Sequence, residues 1–137
     1  QVLNQMQFAP RVGPESRAVV RPAPDMAYAA CVFDLGAGPV ALRIARAGQY
    51  QSLSVYADNT DNVFTLSDRE MGPDGAEVVL YRAGTPAPAV AAGAILVASP
   101  SRRGVVLDRR LAPTAAAFEA LDPVRRLSQC GPLSPPG

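Results

Sequence analysis

The feature that most limits the fold of this chain is its punctuation. Apolar runs of five to nine residues recur along most of it, each closed by Gly, Pro or Asx residues before a helical period can build up. Val40, Leu42 and Ile44 alternate with Ala41, Arg43 and Ala45, the two-residue period of a half-buried strand. Leu53 and Val55 face one way between Tyr50 and Ala57, while Tyr50, Ser52, Ser54 and Tyr56 face the other, which predicts a strand with one wet or ligand-lined side. Met26 to Leu35 is apolar at odd and even positions alike and reads as a strand covered on both faces. Further strands are expected at 18–20, 63–66, 76–82, 94–98 and 104–111. This spacing predicts a mainly β fold, an antiparallel β-sandwich or jelly-roll-like domain.

The character changes after Pro113. Thr114 is a helix cap ahead of AAAFEAL, and Asp122 with Pro123 reads as the cap of a second short turn, so a short C-terminal helix closes the domain. Residues 1–16 are polar and aperiodic and read as an N-terminal arm or linker. Residues 17–128 are expected to form the sandwich domain, and 129–137, QCGPLSPPG, aperiodic and rich in Pro, read as a tail that packs neither as helix nor as central strand. With 137 residues, the chain is long enough for one domain with a core of its own.

Composition closes several chemistries. All 13 basic residues are Arg, and there is no Lys, His or Trp. An imidazole base, a Schiff-base lysine, a Ser-His-Asp triad and a His-ligated metal are therefore excluded, and neither cofactor nor metal is expected. The net charge is +1. Arg pairs at 102/103, 109/110 and 125/126 are not interleaved with stacking aromatics, so no nucleic-acid surface is expected. Cys31 and Cys130 form no CxxC motif, and two readings stay open: a disulfide in an oxidising compartment, or one buried thiol in a strand and one loose thiol in the tail. The longest apolar run, 87–98, contains Pro88 and Gly93 and is too short to span a bilayer. The chain opens on Gln1 rather than Met, which suggests a targeting or anchoring segment upstream.

Between these elements lies RPAPDMAYAACVFDLGAGPVALRI, followed by QYQSLSVYADNTDNVF. These stretches resemble the bacterial family called domain of unknown function 1254, through Arg21, Pro22, Asp25, Tyr28, Asp34, Pro39, Val40, Tyr50, Asp58, Asn62 and Phe64. SPSRRGVVLDRRL is similar to that family's closing strand. Ala23, Met26, Gln49 and Asp61 depart from its pattern and remove or change hydrogen-bonding groups. The resemblance implies a β-rich exported protein, periplasmic or anchored in the membrane facing the periplasm. It also implies an accompanying domain of unknown function 1214, in the same chain or a neighbouring one, and a companion protein is expected to carry it.

The functional expectation is a non-catalytic module that binds a small molecule or a protein partner. Asp25, Tyr28, Asp58, Asn62 and Arg110 would supply hydrogen bonds, with Tyr50 or Tyr56 as an apolar wall. The alternative is a hydrolase using Asp25 and Asp58 as paired carboxylates, or a subunit completed by its companion. Asp58-Asn59-Thr60-Asp61-Asn62 is expected to form a turn capped by its own side chains.

Overall fold

The computed structural model describes residues 3–10 and 26–133. The expected strand at 18–20 lies outside them. Among the described residues, nine strands and one α-helix follow in chain order: β1 (Gln7–Phe8), β2 (Met26–Asp34), β3 (Val40–Ala45), β4 (Gln51–Ala57), β5 (Asn62–Ser67), β6 (Gly75–Arg82), β7 (Ile95–Ser99), β8 (Arg103–Leu111), α1 (Ala115–Arg125) and β9 (Gln129–Pro132). They build a β-sandwich. The first sheet has the order β1-β2-β8-β4-β5 and is antiparallel throughout. The second has the order β7-β6-β3-β9. Its β6 and β7 run parallel, which requires a crossover; the exposed Pro- and Ala-rich segment 83–94 supplies it.

The core lies between the two sheets and follows from the two-residue period. Cys31 and Phe33 on β2, Leu53 and Val55 on β4, Leu66 on β5 and Val106 on β8 meet Val40, Leu42 and Ile44 on β3, Val78 and Leu80 on β6 and Val97 on β7. The expectation that β2 is covered on both faces is corrected here. Ala27, Ala29, Cys31 and Phe33 are buried, whereas Met26, Tyr28, Ala30 and Val32 are only half-buried on the outer face. An apolar run carries no label for which face meets the second sheet.

Ser52 and Ser54, read as a wet face, are almost fully enclosed, at 5% and 2% exposure. They lie in register between Arg109 and Leu107 of β8 and Ser67 and Thr65 of β5, and so occupy the middle of a sheet, beside the longer side chains of Arg109 and Leu107. The disulfide question is answered by strand placement: β2 and β9 belong to opposite sheets, and Cys31 and Cys130 are bonded across the sandwich with 6.5 Å between their Cα atoms.

Both ends of the described chain enter the sheets. Gln7 and Phe8, within the expected arm, pair with Ala30 and Ala29. Residues 129–132, within the expected tail, pair with Arg43 to Val40 as an edge strand, where Pro132 needs no donor. The two short helical turns expected after Pro113 are one helix. Thr114 Oγ1 accepts from Ala117 N at 3.0 Å, and the helix runs through Asp122 and Pro123 to Arg125. Asp122 caps no second turn because its carboxylate is taken by Arg125 and Arg126, at 2.9 Å from the Nε of each.

Candidate functional site

The β4–β5 turn is set by local side chains. Ala57 N donates to Asp61 O and Thr60 N to Ala57 O, both at 2.9 Å. Asn59 caps the turn: its Oδ1 accepts from Asp61 N at 3.1 Å and its Nδ2 donates to Asp61 Oδ2 at 3.0 Å. Thr60 takes a left-handed φ of 71°, an uncommon conformation for a β-branched residue. Asp58 N donates to Ser101 Oγ at 3.1 Å, and that hydroxyl donates to Arg103 O. The corner is thereby fastened to the β7–β8 connection, leaving the Asp58 side chain at the surface.

Beside it, Val32, Val105 and Tyr56 stand in register on three neighbouring strands, β2, β8 and β4. Together with Ala57, Asp58, Thr60, Arg103 and Gly104 they line an open groove of about 430 Å³. Its floor is apolar and its rim is polar. Arg103 is held at that rim by Asp34, its Nε donating to Oδ2 at 2.7 Å, while Arg102 Nε lies 3.2 Å from Oδ1. The Gly36 backbone N–H bonded to Asp34, and then the Arg103 guanidinium, hold the Asp34 carboxyl below the usual carboxylate range.

The residues singled out from sequence fall in separate places. Asp58 and Asn62 share this corner with Tyr56, which stands opposite Asn62 in the register. Asn62 is turned to the sheet edge, donating to Phe64 O and accepting from Thr65 Oγ1. Tyr50 is 54% exposed at the other end of β4, where its carbonyl accepts from Leu111 N. Tyr28 stands four residues along β2 from Val32 on the same face. Asp25 lies outside the described residues.

Arg110 is in the interior, 1% exposed. Its Nε donates to Asp108 Oδ2 at 2.9 Å, and its Nη2 donates to Ala45 O at 2.6 Å and Ser128 Oγ at 3.2 Å. Gln51 Nε2 donates to Asp108 Oδ1 at 2.8 Å. Burial pushes the Asp108 carboxyl above its ordinary value, against the opposing pull of Arg110 and Gln51. This network joins the two sheets below α1 and is closed to ligands of any size.

Sequence reasoning missed Val32, Thr60, Arg103 and Val105. Their signal is the strand register, which a single sequence does not display. A second recess, of about 600 Å³, opens between β1 and β9 and includes Met6, Phe8, Arg43, Glu77 and Cys130. Its apolar lining is interspersed with the polar side chains of Gln5, Arg43, Glu77, Ser128 and Gln129, so apolar floor and polar rim are not separated as they are in the Asp58 groove. Among the described residues, no group of three or more His, Cys, Asp or Glu side chains is placed to hold a metal, and no helix is long and apolar enough to cross a membrane.

Comparison with known proteins places this fold among relatives. No curated protein matches the chain. The crystal structure of the VPA0106 protein from Vibrio parahaemolyticus superimposes with a TM-score of 0.76 at 17% identity, covering 98% of this chain and 31% of that one. A putative uncharacterized protein from Burkholderia cenocepacia gives a TM-score of 0.62 at 12% identity, covering 93% of this chain and 34% of that one. The chain thus spans about a third of the length of these relatives. The model of the family described as protein of unknown function DUF1254 matches residues 3–132, and the chain belongs to that family.

Proposed function

We propose that the domain is a non-catalytic binding module whose small-ligand site is the groove at the Asp58 corner. The observation that carries this reading is the coincidence of an apolar floor, Val32, Tyr56 and Val105, with a rim of Asp58, Thr60 and Arg103 on a turn held by its own side chains. A few placed polar groups around an apolar surface, in a volume of this order, are what small-molecule sites use. Against catalysis stands the position of Asp108: its carboxyl is shifted by burial, yet it is enclosed with Arg110 where no substrate reaches it. The paired-carboxylate alternative rests on Asp25 and Asp58.

A disulfide between the sheets suits an oxidising compartment, which supports a periplasmic site, free or membrane-anchored. A second reading is a module completed by a companion protein. The companion would carry the domain of unknown function 1214.

The test is a thermal-shift screen of the purified domain against small anions, sugars and lipid headgroups, repeated on Asp58→Asn and Tyr56→Ala. A ligand at a hundredfold excess over its Kd adds about 2.7 kcal/mol, which raises the midpoint by roughly 5 to 10 °C. Loss of that shift in both variants supports the site. A shift retained in both moves the site elsewhere, and turnover of the ligand by the wild type overturns the non-catalytic reading.

A further inference from the structure

Among the described residues the sandwich has four edge strands, and three of them carry a device that discourages pairing with another chain. β1 is two residues long. β5 lies next to a register shift at Val55/Tyr56, and Asn62 Nδ2 caps its own edge by donating to Phe64 O. β9 contains Gly131 and Pro132. β7 differs. Its five residues, Ile-Leu-Val-Ala-Ser, carry no charge, proline, glycine or bulge, and its partner β6 pairs with every one of them in unbroken register. Among the described residues, its backbone hydrogen bonds run to β6 and to Ala83, the residue that continues β6, which leaves the far side of the strand unpaired.

The side chains alternate. Val97 and Ser99 point into the core, while Leu96, 41% exposed, and Ala98 point outward. We propose that β7 is a homodimerisation edge, at which two copies pair antiparallel about a two-fold axis through Val97. The strand is complementary to itself in that arrangement. Leu96 stands opposite Ala98 of the second copy, large against small, Ile95 stands opposite Ser99, and no charge meets a like charge. The two four-stranded sheets become one continuous sheet, and the inner apolar rows of the two cores run on into each other. This pairing leaves the Asp58 groove, on the outer face of the other sheet, uncovered.

The register supplies its own test. In Leu96→Lys/Ala98→Lys each new cation faces another across the axis, twice by symmetry. In Leu96→Lys/Ala98→Glu each cation faces a carboxylate. Sedimentation velocity of the full chain from about 1 µM to 1 mM is expected to show a concentration-dependent dimer for the wild type. The first double variant is expected to dimerise at least about tenfold more weakly, and the second to recover most of that loss, its affinity falling again as salt is raised. Leu96 and Ala98 are exposed, so both variants keep the wild-type thermal midpoint measured at a concentration where all are monomeric. A wild type that stays monomeric throughout, or two double variants that behave alike, overturns the proposal.

Discussion

Arg125 bonds to three separate segments of this structure, and nothing in its sequence neighbourhood marks it out. It is wholly buried. Its Nη1 donates to Ala9 O and Tyr28 O at 2.9 and 2.7 Å, its Nε donates to Asp122, and its guanidinium lies 4.8 Å from the Phe118 ring centroid and 5.5 Å from that of Phe8. One side chain thus ties β1, β2 and α1 together. Arg125→Met strips donors from two carbonyls and a partner from Asp122, and is expected to destabilise by about 2 to 4 kcal/mol in urea unfolding. A loss under about 1 kcal/mol would show that water replaces those bonds. In the sequence Arg125 is half of one Arg pair among three, because burial is decided by where α1 comes to rest.

Gly104 makes the same point from the side of space. A Cβ there would meet Tyr56 O and the Phe33 ring, whereas one at Gly131 meets nothing within 4 Å. Gly104→Ala is therefore expected to lose about 1 to 3 kcal/mol, and Gly131→Ala to stay within about 0.5 kcal/mol of wild type in the same measurement.

At the scale of elements, strands with a clean period were legible, and elements made by their partners were not. β3 and β4 could be drawn from their alternation alone. β1 and β9 have no pattern of their own: two and four residues long, they are strands only because β2 and β3 offer unpaired edges. The Asp58 turn was legible because Asx residues bond their own backbone. The groove beside it was not, since it needs Val32, Tyr56 and Val105 brought into one row by β8.

The helix was half legible. Its Thr114 cap was visible, and Thr114→Ala is expected to cost about 1 kcal/mol, read from the chemical-denaturation midpoint. Its Asp122 was misplaced as a second cap. Burial opposes ionisation of Asp122, but hydrogen bonds from Arg126 and Arg125 outweigh it and hold the carboxyl below the ordinary value. A lowered folded-state pKa means that the native state binds fewer protons than the unfolded one. The stability it contributes is present above about pH 4 and is lost as pH falls through the folded value. Asp122→Asn is thus expected to flatten the acid limb of the stability curve, measured by urea unfolding at successive pH. Asp108, raised by burial, contributes with the opposite slope, so the comparison is variant against wild type rather than one curve alone.

For the whole molecule, the bond between Cys31 and Cys130 is the covalent link between sheets, closing a sequence separation of 99 residues. Replacing both cysteines by alanine is expected to lower stability by about 2 to 5 kcal/mol. Treating the wild type with dithiothreitol is expected to bring it to the same midpoint. Equal midpoints for oxidised wild type and variant would mean that packing alone holds the sheets in place.

The sequence by itself determined a mainly β domain, most of its strands, the capped turn at Asp58 and the absence of imidazole and lysine chemistry, because each of these rests on residues within a few positions of one another. Tertiary structure alone decided which sheet each strand joined, the cysteine pairing, the burial of Arg110 and Arg125, and which strand was left as an unguarded edge. Those depend on contacts between distant segments, and a two-residue period says which side chains share a face without saying what that face will meet.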